Sequence, residues 1–310
     1  MRSSSSFITK IRSVLRPGWR QECPNLWLSL LQISVSLTFL ARGWLTWRWD
    51  SPIRGLIWHE DWWSGWLETR FDLPWSAFAK ASDFYINAGL TILGVTLMLL
   101  ALVPWLITRR RFRSLRWLLW LGTALLALDS FARWVDKNFD LGMGIEHALQ
   151  IFAPAILFFI VSSRDRARIA SWLLGIGSAF TFVGHGLYAI GFHPVPLSYQ
   201  TMTMKLLRVE NETAIRFLVG AGLLDFLAAL ALLFRPVRVI GLLYMVGWGF
   251  LTAMARIGSH LGMAQPLYGL DPWIAETLVR TTHWMLPLLL LGLLRTKSAE
   301  AVSAVTHQEP

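Results

Sequence analysis

The chain has one cysteine, Cys23, in 310 residues. That excludes an intrachain disulfide framework, a dithiol relay and a thiolate metal cluster. No two histidines stand four apart, the spacing that aims a ligand pair from one helical face. Neither a phosphate-cradling glycine loop, a dinucleotide fingerprint nor a serine-nucleophile elbow occurs, so the common nucleotide-dependent and hydrolytic chemistries have no signature here. Charge is scarce too, at 15% Asp, Glu, Lys and Arg, and scarcest inside long apolar runs that make up most of the chain.

Eight such runs lie at roughly 26–46, 84–107, 115–134, 143–162, 169–191, 214–234, 239–257 and 273–294. Each is near the ~20 residues that cross ~30 Å of hydrocarbon. They predict an all-α fold, a polytopic membrane helical bundle of eight transmembrane helices, with the lipid bilayer as its first partner. The first run follows Lys10, Arg12, Arg16 and Arg20 as a signal peptide's apolar region would. It is too long for that and has no small-x-small cleavage site, so it is expected to stay as the first helix.

The distribution of basic residues predicts orientation. Seventeen of the 29 Lys and Arg residues fall on the N-terminal segment, the 108–116, 163–168 and 235–238 connections and the C-terminal tail, against four Asp and Glu. The opposite side holds 11 against 13. Short Lys/Arg-rich connections stay in the cytoplasm, which puts both termini inside and the longer loops outside. A net charge of +10 would suggest nucleic acid in a soluble protein. Here Arg109, Arg110, Arg111 and Arg113 abut apolar runs, so they read as topology determinants and anionic-lipid contacts, and no nucleic-acid partner is expected.

The runs repeat as two sets of four. His147, Gln150 and Pro154 in the fourth have the spacing of Arg280, His283 and Pro287 in the eighth. Asp129-Ser130-Phe131-Ala132-Arg133 closes the third as Thr252-Ala253-Met254-Ala255-Arg256 closes the seventh. Ala88-Gly89-Leu90 pairs with Ala221-Gly222-Leu223, and Arg42-Gly43 with His185-Gly186. Four helices per half is an even number, so the two repeats are expected to be parallel, related by an axis along the membrane normal. The expected organisation is a cytoplasmic extension at 1–24, one four-helix repeat at 25–163, a second at 164–295 and a cytoplasmic tail at 296–310. The first repeat carries an outer loop at 49–83 with Trp58, Trp62, Trp63, Trp66 and Trp75, amphipathic indoles that suit a helix lying at the headgroup level.

Ionisable groups inside a spanning helix are costly and face the bundle interior. Asp225 falls near the middle of the sixth helix. On the eighth, Glu276, Arg280, His283 and Pro287 follow i, i+4, i+7, i+11, within a stripe about 60° wide. His185 lies in the outer third of the fifth helix with Tyr188 one turn further out; Arg256 and His260 close the seventh, from which Thr252, Trp248 and Tyr244 run inward. These residues describe a polar funnel, open outward and ending near Asp225 and His283, in which His283 or Arg280 is expected to reach the Asp225 carboxylate directly or through one water. The first half has a thinner set, Arg42, Asn87, Asp129, Arg133, Glu146, His147 and Gln150, mostly at helix ends where snorkelling makes charge cheap. Asp129 and Arg133 stand i, i+4 and are expected to satisfy each other. His147, His185 and His283 could meet only at a cavity shared by both halves. His185 with His283 is the one couple that could span a haem, and neither haem nor metal is expected.

The stretch Ala221-Gly222-Leu223-Leu224-Asp225-Phe226-Leu227-Ala228-Ala229-Leu230-Ala231-Leu232-Leu233, followed by a basic turn with Arg235 and Arg238, resembles the central part of DoxX-like bacterial membrane proteins, with Asp where that family more often has Glu. The segment from His185 to Pro196 is similar to a group of uncharacterised bacterial membrane proteins. The resemblance implies a four-helix unit, here doubled, in a bacterial inner membrane, and a role as a quinone-linked oxidoreductase component. In that role Asp225 and His283 would exchange protons with a quinone head and Arg280 would stabilise its negative charge, beside a membrane or periplasmic partner subunit. His185, Tyr188, Trp248, Arg256, His260 and Glu276 would complete the binding site. The same funnel would also suit a small-anion or small-solute transporter, and a membrane assembly or scaffold subunit would use it only to pack helices.

Overall fold

A computed structural model describes residues 25–162, 167–261 and 266–306. The extension at 1–24, Cys23 within it, and most of the 163–168 connection lie outside the described residues. Among these no strand occurs. The helices are α1 (Asn25–Arg48), α2 (Ile53–Ile57), α3 (Glu60–Phe71), α4 (Trp75–Leu100), α5 (Val103–Leu106), a 3-10 turn at Arg110–Trp117, α6 (Leu118–Asp136), α7 (Leu141–Glu146), α8 (Ala148–Ser162), α9 (Ala167–Ala189), α10 (Leu197–Leu207), α11 (Asn211–Ala231), α12 (Arg238–Gly258), α13 (Pro266–Val279) and α14 (Thr281–Thr306).

Eight segments are long and apolar enough to cross a membrane: Leu26–Arg48, Trp75–Leu106, Arg110–Asp136, Leu141–Ser162, Arg168–Ala189, Asn211–Ala231, Arg238–Gly258 and Gly269–Leu294. The chain is a multi-pass membrane protein. The second span starts at Trp75, nine residues before its apolar run, because Lys80 and Asp83 sit on the first turns of one continuous helix. There Asp83 is met by Arg54, which also holds Asp50 and Asn87. Expected as a loop with a surface helix, 49–83 contains α2 and α3, and Trp62, Trp63 and Trp66 on α3 are exposed. α14 runs past the last apolar run to Thr306, into the segment expected to be a separate tail.

Fourth and eighth spans are both broken helices. The fourth breaks at His147, between α7 and α8, and the eighth at Arg280, between α13 and α14. In each a proline follows seven residues later, Pro154 and Pro287. A proline has no amide to give, so the carbonyls of Gln150 and His283 lose their usual helical partner.

Two helix crossings are equally alike. α1 packs along α4, and α9 along α11, as the two most extensive pairs of the molecule. Each crossing is made through glycines: a Cβ on Gly94 would lie 2.8 Å from Gly43 O, and one on Gly222 would lie 3.0 Å from Gly186 O. Small residues let backbones approach where lipid offers no hydrophobic drive for association. The partner of Gly222 in this respect is Gly94. Gly89, paired with it on sequence, faces open space.

The apolar core runs through the bundle centre, from Leu31, Val35 and Phe39 on α1 through Leu149 and Ile156 on α8 to Leu242 and Met245 on α12 and Leu286 on α14. α1 and α8 both pack against α14, so the two halves meet along the eighth span.

Candidate functional site

A cavity of about 350 Å³ lies in the second half, bounded by α9, α10, α11, α12 and the eighth span. Phe182, Met202, Leu206, Phe217, Leu218 and Leu251 give it hydrocarbon walls. His185, Tyr199, Asp225, Trp248, Arg256, Arg280 and His283 supply its polar surface.

The helices place these groups in tiers. Deepest, the Tyr244 hydroxyl donates to Asp225 Oδ1 at 3.0 Å and lies 3.2 Å from Ala221 O, tying α12 to α11. Trp248, one turn on, stacks with Tyr244 at a centroid distance of 6.4 Å. His283 comes next, because Gly249 lets α12 approach its carbonyl; a Cβ there would lie 2.8 Å from His283 O. The His283 ring meets that of His185 edge to face, centroids 5.1 Å apart. His185 Nδ1 is 2.9 Å from Tyr199 Oη and 3.4 Å from Glu146 Oε2. Tyr199 belongs to α10, outside the spans, and burial raises its phenol above the ordinary value. Its hydroxyl therefore keeps its proton and can donate. At the end of the cavity nearest the helix ends stand Arg256 and Arg280.

The two arginines are differently committed. Arg280 pairs with Glu276 one turn away on the eighth span, while its Nε has no hydrogen-bond partner among the described residues. Arg256 donates Nη1 to Thr252 O at 2.7 Å, and no carboxylate comes within ion-pair distance of it among the described residues. It is 6% exposed. A buried guanidinium without a counter-charge is expensive, by several kcal/mol on an order-of-magnitude view. Arg256 lines the cavity, where a guanidinium can receive an oxygen-bearing or anionic group.

The polar residues of the first half prove to be the other side of the same network. Arg42, fully enclosed, donates Nη2 to Gln150 Oε1 at 2.9 Å and lies 3.5 Å from Asp129 and 4.0 Å from Glu276. Arg133 donates to Asp129 at 3.0 Å, the expected i, i+4 pair. Gln150 Nε2 lies 3.5 Å from His283 Nε2, which joins the network to the cavity. Glu146 stands 3.6 Å from His147 Nε2 as well as beside His185. Arg42, Asp129, Glu146, His147 and Gln150 are all buried among other helices rather than snorkelling to water, while Asn87 is exposed on α4 and bonds Arg54 and Asp83.

Of the residues singled out on sequence, Asp225, His283, Arg280, His185, Arg256 and Trp248 line one cavity. Glu276 stands behind it, held by Arg280 and Arg42. Tyr188 points to the loop side, its hydroxyl 3.4 Å from Asp140 Oδ2, and His260 stacks on Trp273 at 3.8 Å. Among the described residues neither His283 nor Arg280 bonds Asp225 directly, and Tyr244 bonds its carboxylate instead. Glu276 draws Arg280 toward the helix end, and His283 is engaged by His185 and Gln150. The same edge-to-face contact leaves no gap between His185 and His283 for a macrocycle. No three His, Cys, Asp or Glu side chains among the described residues converge in a metal-ligating group. Tyr199 is the cavity residue that sequence reading missed. It sits on α10, the short helix that follows Pro196.

Comparison with protein-family models, curated proteins and solved structures finds no match.

Proposed function

We propose that the protein binds an amphipathic, oxygen-headed small molecule of the quinone class in the cavity of its second half. One observation carries this reading. Arg256, buried and without a carboxylate partner among the described residues, shares an otherwise hydrocarbon-lined cavity with His185, Tyr199 and His283. A quinone, when bound, supplies reversible two-electron chemistry. Arg256 and Tyr199 would hold its carbonyl oxygen, and Arg256 takes the charge-stabilising role first given to Arg280, which is engaged by Glu276. His283 and Asp225 are the groups at hand to give or take a proton. Phe182, Leu218 and Leu251 would exclude water around the ring. A membrane or periplasmic partner subunit supplies electrons in this reading, which agrees with the DoxX-like resemblance of residues 221–233.

The surrounding assignments belong to the same proposal. The Arg-rich 108–116 and 235–238 connections set both termini in the cytoplasm of a bacterial inner membrane, with α3 and α10 on the periplasmic side. The chain is a parallel duplication: matched breaks at His147 and Arg280, matched prolines and matched glycine crossings support it.

Equilibrium binding of decylubiquinone to the detergent-solubilised protein tests the reading. Saturable one-site binding that weakens at least tenfold in Arg256→Leu and in His283→Ala is expected; no saturable binding to the folded wild type would sink it. The unpaired charge of Arg256 also favours a second reading, a small-anion carrier. Anion counterflow in proteoliposomes that is lost in Arg256→Leu, without quinone binding, would establish that one instead.

A further inference from the structure

The cavity's opening has a different chemistry from its floor. Asp225, Arg256 and His283 inside it are at most 6% exposed, whereas Leu251 is 59%, Leu207 48% and Phe217 42% exposed. The rim is therefore apolar side chain left uncovered, and the polar groups lie behind it.

The helices explain the gap. α11 and α12 are in close contact toward the basic 232–237 turn, where a Cβ on Gly241 would lie 2.8 Å from Ala228 O and where Tyr244 bonds Asp225. Further along, Phe217 of α11 meets Trp248 of α12 at a centroid distance of 6.0 Å, and Phe217, Leu218 and Leu251 line the cavity between the two helices. α10 packs against both helices, adding Leu206 and Leu207 to the rim. Leu251 stands seven residues before the end of α12, which is about 10 Å below that end. Leu243 and Phe250 on α12 and Leu224 on α11 are exposed beside it. In a spanning bundle, uncovered Leu and Phe at that depth face hydrocarbon, so the rim is continuous with the lipid-facing surface.

We infer that the cavity opens sideways into the bilayer between α11 and α12, and that its ligand is a membrane-dissolved amphiphile that enters head first and leaves its alkyl or prenyl tail in the mouth. This rests on the binding reading above and specifies it. A water-soluble ion would have no reason to pass an apolar rim, whereas a tailed molecule loses nothing on leaving lipid for Leu and Phe walls while its oxygen-bearing head gains Arg256.

The test does not depend on the ligand. In a Cys23→Ser background, a nitroxide is attached at Leu251→Cys, at Phe217→Cys and, as a control outside the spans, at Glu210→Cys, and the full chain is placed in liposomes. Power saturation then compares collisions with oxygen, which concentrates in lipid, and with a water-soluble nickel chelate. Oxygen accessibility severalfold above that of the chelate is expected at Leu251, with the reverse at Glu210. Phe217 provides the same reading if the Leu251 label perturbs the fold. Chelate accessibility at Leu251 or Phe217 equal to that at Glu210 would overturn the lateral mouth and leave quinone binding standing. Absent binding with a lipid-facing mouth would remove the ligand assignment and keep the opening.

Discussion

Around Arg42 in the first half and His185 in the second, two similar helix crossings are put to opposite uses. Both residues precede a glycine crossing, Gly43 on Gly94 and Gly186 on Gly222, and both face the broken span that closes their half. Arg42 is sealed in by Asp129, Gln150 and Glu276, and the space beside it is filled: Phe39 packs onto Gly122, and Leu97 is buried in the core. In the second half Phe182 stands three residues before His185 as Phe39 stands before Arg42, yet it lines a cavity. Asp225 follows Gly222 by three residues as Leu97 follows Gly94. Met245, wholly buried, occupies the register of Gly122 if the ends of the third and seventh spans are aligned. Arg42 is met by carboxylates from both halves, whereas Arg256 borders a cavity and has no carboxylate partner among the described residues. Similar helix crossings can therefore hold either a structural ion network or a ligand site, according to whether the charge beside them has a protein partner.

The largest expected effect breaks the solid half. Asp129→Leu leaves Arg42 and Arg133 without their shared carboxylate, and should destabilise the protein by ~3–5 kcal/mol in detergent unfolding. A loss below ~1 kcal/mol would mean that Gln150 and Glu276 suffice and that the first-half network is not a unit.

Next in size come the crossings. Gly94→Ala and Gly222→Ala each force a Cβ against backbone or a packed side chain and should cost about 1–3 kcal/mol. Gly89→Ala meets nothing within 4 Å and should be neutral or stabilising by up to ~1 kcal/mol. The same unfolding assay reads all three, and a Gly89 variant as damaged as the Gly94 variant would restore the register read from sequence.

A third contrast is between the two aspartates. Asp225→Asn keeps the acceptor that Tyr244 bonds, so its stability should fall by less than ~1 kcal/mol, well below the loss from Asp129→Leu. If Asp225 serves proton exchange, quinone-linked turnover should drop at least tenfold while decylubiquinone affinity changes less than threefold. Unchanged turnover would leave the residue as a helix fastener.

How much of this was legible in the sequence follows from what kind of contact each feature makes. Spans are legible because length and apolarity are properties of one helix, and Asp129 with Arg133 because i, i+4 partners share a helix face. Asp225 and His283 could be set at roughly similar depths, and Arg256 at the outer end of its helix, by counting residues. Which charges pair across helices could not, since rotation about each helix axis decides it. Arg42 reaches Gln150 and Glu276 from sequence separations that no periodicity connects. Gly89 and Gly94 illustrate the same limit: both are glycines on one helix, and only the neighbour that arrives at Gly94 tells them apart. Tyr199 escaped because its segment is a short helix whose few polar residues look like an ordinary connection.

The claim that the ligand is held in the second half is tested most directly by photolabelling. A decyl-tailed quinone bearing a diazirine on its ring is irradiated with the protein in liposomes, and adducts are mapped by mass spectrometry. The account predicts adducts concentrated within 182–225 and 248–283, suppressed by excess decylubiquinone and lost in Arg256→Leu. Equal, competable labelling of the first half around Phe39 and Leu97, or labelling of the second half that decylubiquinone fails to suppress, would contradict it.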